Sequence, residues 1–93
     1  MIAHHVIHYP KPEYRADMLA SMNRVGAAAE GQPGLVSITA WVEQAGDRIV
    51  GFSVWESIDA FTAARAAIFA PVKDDPFELW EAKESEGMIL ETD

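Results

Sequence analysis

Two β-rich runs joined by a short polar turn, and followed at once by a helix, leave this chain few folds to choose from. They occupy residues 33–61, PGLVSITAWVEQAGDRIVGFSVWESIDAF. The first run carries Val36, Ile38, Thr39, Trp41 and Val42, and the second Ile49, Val50, Phe52, Val54 and Trp55. This is the β-branched and aromatic enrichment of strands. Between them, Gln44-Ala45-Gly46-Asp47 is short and polar, and Gly46 is expected to supply the positive φ of a tight hairpin. Ser57 stands where its hydroxyl can accept from the open N–H groups of the next helix, and Asp59 falls in that helix's positive first turn. The segment predicts a hairpin that hands over directly to a helix.

The flanks extend the pattern. Residues 2–9, IAHHVIHY, read as an opening strand stopped by Pro10 and Pro12, which fit badly in a central ladder. Pro12 suits a first helical turn, with Glu13 beside the positive end. Tyr14, Met18, Met22, Val25 and Ala29 follow at steps of 4, 4, 3 and 4, which is one helical face. Gly31 and Pro33-Gly34 stop that helix. The second helix covers residues 58–69, burying Ile58, Phe61, Ala64 or Arg65, and Ile68, and Ala70-Pro71 ends it. Asp75-Pro76-Phe77-Glu78 reads as a capping box opening a short helix with Phe77, Leu79 and Trp80. Gly87 breaks it, and Met88–Thr92 reads as a last strand.

Strand, helix, hairpin, helix, short helix and strand in that order give the α+β, ferredoxin-like split βαβ plan. It consists of one four-stranded antiparallel sheet with its helices on one face. Without an internal repeat or a long linker, the 93 residues predict one domain, 1–93. If Gln44 pairs with Arg48, then Val36, Ile38, Ala40 and Val42 share a face with Val50, Phe52 and Val54. Trp41 and Trp55 then share the other face, and a one-residue slip exchanges the partners. Tryptophans on a bare sheet call for a cover, so a homodimer joined sheet to sheet is expected.

Composition narrows the partners. The chain is 49% hydrophobic, as globular proteins are, yet its apolar runs fall far short of the roughly 20 residues of a membrane span. No basic segment followed by an apolar one opens it, so a cytoplasmic location is expected. The absence of cysteine excludes disulfides and thiolate sites. Of a net charge of −8, residues 71–93 carry most, with eight acids against Lys73 and Lys83. A chain so charged, without a basic stripe, repels phosphate backbones, which excludes nucleic acid as a partner. Glu78, Glu81, Glu84 and Glu86 read as a solvated surface.

The histidines are the one unusual polar cluster. On a strand, His4 and His8 share a face roughly 13 Å apart, while His4 and His5 point to opposite faces. No pair can chelate an ion without ligands from elsewhere, so no metal site is expected. His5, or His4 in the opposite facing, is the candidate general base, because imidazole titrates near pH 6.5. Trp41, Trp55, Trp80, Phe52, Phe61, Phe69 and Phe77 either wall a pocket for a flat aromatic ligand or simply fill the core.

Pro33-Gly34, the hairpin and the VWESIDAF of residues 54–61 together resemble the antibiotic biosynthesis monooxygenase family of the dimeric α+β barrel superfamily. The resemblance implies a ferredoxin-like protomer, a barrel dimer and a pocket between each sheet and its helices. Members that act as cofactor-independent oxygenases convert polycyclic phenols to quinones, which implies no cofactor here. Trp55 matches the motif tryptophan. Phe61 stands where such enzymes can carry a tyrosine, and Gly51 where an asparagine can sit. The haem-degrading branch needs an axial histidine after the second helix, a tryptophan within it and an asparagine in the first strand. This chain has none of the three.

The expectation is a monooxygenase-like enzyme acting on a small aromatic or quinol-type molecule. His5 would be the catalytic base, and Trp55, Phe61, Trp80 and Phe52 would bind substrate. The alternative is a non-catalytic, small-molecule-binding or stress-related dimeric barrel protein.

Overall fold

A computed structural model describes residues 1–92. The strands are β1 (Ile2–His8), β2 (Leu35–Val42), β3 (Ile49–Trp55) and β4 (Glu86–Glu91), and the helices α1 (Arg15–Ala29), α2 (Ile58–Phe69) and the short α3 (Phe77–Trp80). Single 3₁₀ turns at Pro12–Tyr14 and Ala70–Val72 lead into α1 and out of α2. The strands form one antiparallel sheet in the order β2-β3-β1-β4. This is the ferredoxin-like α+β fold that the element order predicts.

The helix boundaries have local causes. Ser57 accepts a hydrogen bond from the Ala60 N–H at 3.1 Å and starts α2. Gly31 and Gly34, at φ of 78° and 82°, turn the chain between α1 and β2. A side chain at Gly34 would be doubly penalised, because its Cβ would lie 2.5 Å from the Ala60 Cβ. Gly46 does not take the positive φ expected of it; the hairpin instead closes with four residues between Glu43 and Arg48, whose backbones pair at 2.9 Å. The Arg48 guanidinium also grips the Glu43 carboxylate, with Nε at 2.8 Å.

The register accordingly lies one residue away from the Gln44–Arg48 pairing. Val42 faces Ile49, Ala40 faces Gly51, Ile38 faces Ser53 and Leu35 faces Trp55. A bulge between Leu35 and Ser37 leaves Val36 exposed. Because side chains alternate, Trp55 and Trp41 part company. Trp55 is fully buried on the helix side, while Trp41 is 61% exposed on the other. The open face carries Ala3, His5, Ile7, Trp41, Val50, Phe52, Val54, Met88 and Leu90. A largely apolar face is thus uncovered, but its members follow the slipped pattern.

Two groups of buried side chains fill the space between sheet and helices. Trp55, Phe61, Ile68, Val25 and Ala29 centre the larger one. Met18, Ile49 and Trp80 form the smaller. On α2, Phe61, Ala64 and Ile68 are buried as expected, but Ile58 is exposed. The capping box at α3 does not form. Pro76 precedes the helix without a side-chain cap, and the Asp75 carboxylate pairs with Arg24 of α1 instead. Gly87 lies inside β4, opposite Val6, rather than breaking the chain before it.

Candidate functional site

A cleft of about 1180 Å³ opens between the helix-side face of the sheet and the helices. Its volume exceeds the roughly 300–1,000 Å³ of ordinary ligand sites. The sheet contributes His4, Val6 and His8 from β1 and Gly51 and Ser53 from β3. Met22 and Val25 of α1 and Ile68 and Phe69 at the end of α2 lie against it. The segment from Phe77 to Ser85 brings charge to the rim through Glu78, Glu81, Lys83 and Glu84. The lining is therefore apolar toward the two helices and polar along β1 and the late segment.

Parity along β1 sorts the histidines. His4 faces the cleft: its ring centroid is 4.8 Å from that of Phe61 and 6.3 Å from that of Phe69. Burial, reinforced by the Arg65 charge and the neighbouring His5 and His8, holds its pKa below the ordinary value of 6.5. The imidazole is thus neutral at pH 7 and able to accept a proton. Arg65 lies 5.8 Å from the centre of the Phe61 ring, whose face it can share as a cation–π contact. His5 stands on the open face, its ring edge-on to Phe52 at 5.7 Å, so the histidine placed in the cleft is His4 and not His5. The alternation of a single strand forces that exchange.

The four expected aromatic residues separate in the same way. Trp55 and Phe61 pack together in the larger core group at 5.6 Å, with Phe61 reaching the His4 ring. Trp80 belongs to the smaller group. None of the three lines the cleft; they are the packed wall behind it. Phe52 borders the cleft along β3, but its ring lies with His5 on the other face. The Trp55 Nε1–H donates to the Ser53 Oγ at 3.0 Å, which occupies the indole donor.

Two positions have unused room. A Cβ at Gly51 would meet only the Met22 sulfur at 3.8 Å, and one at Gly26 nothing within 4 Å. Both glycines line the cleft, so they widen it where a side chain would narrow it.

The hydrogen-bonded pair at the other end of β1 is absent from the sequence reading. His8 Nδ1 lies 2.8 Å from Glu81 Oε1, and the His8 ring stacks on Phe77 at 6.2 Å with 23° between planes. Glu81 is not solvated surface. It forms a β-bridge with Pro10, and its side chain is only 9% exposed. The signal that could have found it is weak: an acid directly after the apolar Phe77-Glu78-Leu79-Trp80 turn, with no hint of its distant partner.

Residues 1–67 match the antibiotic biosynthesis monooxygenase family. No curated protein matches the chain. Among solved structures, Rv0793 from Mycobacterium tuberculosis superposes with a TM-score of 0.87 at 15% identity, covering 98% of this chain and 93% of its own. A conserved protein from Methanosarcina mazei Go1 gives 0.86 at 14% identity over 99% and 92%. A variant of SnoaB, a cofactor-independent oxygenase from Streptomyces nogalater, gives 0.76 at 25% identity over 98% and 92%. The first two likenesses concern the fold alone.

Proposed function

Because the chain belongs to the antibiotic biosynthesis monooxygenase family, we propose that it is a cofactor-independent oxygenase acting on a small aromatic or quinol-type molecule in the cleft. The observation that carries this reading is His4: a neutral imidazole, half-buried beside two phenyl rings, on the wall of a cleft large enough for a polycyclic ligand. Its likeness to SnoaB supports the same reaction class. His4 would take the hydroxyl proton of a phenol, leaving an electron-rich phenolate whose ring carbon combines with O₂. One oxygen atom stays as the new carbonyl and the other leaves as water. The substrate supplies all four electrons, so no external reductant is needed. Phe69 and Met22 would hold the ring flat while water is kept out.

The uncovered sheet face supports a second element of the proposal, a homodimer that buries Trp41, Phe52, Met88 and Leu90 against a second copy. The test of function is oxygen uptake with a panel of anthrones and naphthohydroquinones. Turnover is expected in the unchanged protein and in His5→Ala, and loss of about 10²-fold or more in His4→Ala. Uptake that His4→Ala leaves intact removes His4 as the base.

Gly51 and Phe61 favour a second reading, a small-molecule-binding dimer without turnover. Where related oxygenases can present an amide and a phenol, this chain has a hydrogen on the cleft wall and a phenyl ring packed behind it, so fewer donors face a developing anion. Saturable binding of the same compounds without oxygen uptake would select it. In that case Gly51→Asn, whose Cβ would meet only the Met22 sulfur at 3.8 Å, is the substitution expected to introduce turnover.

A further inference from the structure

We propose that His8 and Glu81 form an acid–base dyad at the end of the cleft away from His4, with His8 Nε2 as the atom that exchanges a proton with a ligand hydroxyl. The proposal deepens the cleft reading above and rests on it. Both side chains line the cleft, yet they are only 10% and 9% exposed. Glu81 Oε1 accepts the hydrogen bond of His8 Nδ1–H at 2.8 Å. A neutral imidazole held in this way keeps its lone pair on Nε2. Phe77, stacked on the ring, limits the rotation that would exchange the two nitrogens.

Glu81 Oε2 is buried and has no hydrogen-bond partner. Among the described residues the one side-chain partner of Glu81 is His8. Lys83 at the same rim sits over the Tyr9 ring at 4.1 Å and 3.9 Å from Glu86. Among the described residues no lysine pairs with this carboxylate, so the imidazole is its side-chain partner.

A clasp between β1 and the late segment does not account for the pair. The Lys11 N–H already donates to the Trp80 carbonyl at 2.8 Å and the Ala82 N–H to the Tyr9 carbonyl at 2.7 Å, on either side of Glu81. Two apolar side chains would complete that clasp at least as well, since a buried ion pair adds little net stability.

The step balances within the cleft. The ligand O–H bond breaks, an N–H bond forms at His8 Nε2, and the electron pair remains on the ligand oxygen. The resulting imidazolium donates from Nδ1 to Glu81 and from Nε2 to the new phenolate. Glu81 is a positioning residue; His8 is the group that touches ligand. With His4 roughly 13 Å away along the same face of β1, the ligand class is an aromatic that carries a second hydroxyl, at the end distant from Phe61 and His4.

The test is imidazole-nitrogen NMR on the whole protein, before and after addition of 2-naphthol, together with absorbance of the bound naphtholate. The free protein should show His8 protonated at Nδ1 and bare at Nε2, and naphthol should shift the Nε2 resonance. In Glu81→Gln and His8→Gln the phenolate fraction of bound naphthol should fall on the order of tenfold, the equivalent of one charge-assisted hydrogen bond. A free protein with His8 protonated at Nε2 instead overturns the dyad without any variant. Naphthol that perturbs His4 but not His8 overturns the dyad and keeps the cleft. Naphthol that perturbs neither removes the cleft reading, and the dyad with it.

Discussion

Replacing Trp55 by phenylalanine tests the hairpin register and the core together. Trp55 is fully buried, packs 5.6 Å from Phe61 and donates to Ser53, itself buried. Trimming the indole to a phenyl ring removes part of the core filling, and truncations of buried aromatics to alanine cost about 3–5 kcal/mol. A partial truncation should cost about 2 kcal/mol, with about 1 kcal/mol more for the lost hydrogen bond. Ser53→Ala leaves the indole N–H buried without an acceptor, a cost of about 1–3 kcal/mol. Once the indole is gone the serine has lost its role, so the double variant should fall short of the sum by about 1 kcal/mol. Urea unfolding at one fixed protein concentration measures all four species, because a dimer's stability depends on concentration. Had the strands paired one residue over, Trp55 would lie on the open face. Trp55→Phe would then cost below about 0.5 kcal/mol and weaken self-association instead. That pair of results would refute the register and the assignment of the two sheet faces.

Other expectations follow from single positions. Gly34→Ala should destabilise by about 2 kcal/mol or more, since it meets both a positive φ and the Ala60 Cβ. By contrast, Gly26→Ala, in a helix with open space around it, should stabilise by about 0.5–1 kcal/mol in the same unfolding assay. His4 binds a proton less readily folded than unfolded. Stability should therefore rise with pH from the lowered folded value up to about 6.5 and be flat above. His4→Gln should flatten that slope in thermal melts run from pH 5 to 8, and an unchanged slope would count against it. Trp41→Lys puts a charge on the β2 edge of the uncovered face and should convert a dimer to monomer by analytical ultracentrifugation. A dimer that persists would place the interface elsewhere.

How much of this was legible in the sequence depended on how local each cause was. The α2 limits, Ile58 and Phe69, come from the Ser57 cap and the Ala70-Pro71 stop, all within a few residues, and the sequence reading places them correctly. The register was not local. Gln44 or Glu43 could each face Arg48, and both pairings leave apolar side chains on each face. What decides between them is the packing of Trp55 on Phe61 and the pairing of β3 with β1. From that one residue follow the exchange of His5 for His4 in the cleft and the opposite fates of Trp41 and Trp55. Asp75 looked like a cap because its neighbours suit one, but Arg24, 51 positions away, takes its carboxylate. Glu81 looked solvated because its acidic neighbours are, and His8, 73 positions away, draws it in.

The place of β1 in the sheet has a consequence for synthesis. β1 is an inner strand, flanked by β3 and β4, and it precedes both of these neighbours in the chain. For most of translation, therefore, β1 offers at least one unpaired edge, and its cleft-side histidines have no floor to settle on. Edges left open in this way invite pairing between nascent chains. Long-range strand pairing is also slow to form. Until both neighbours have been made, β1 is therefore the part of this fold most open to pairing with another chain.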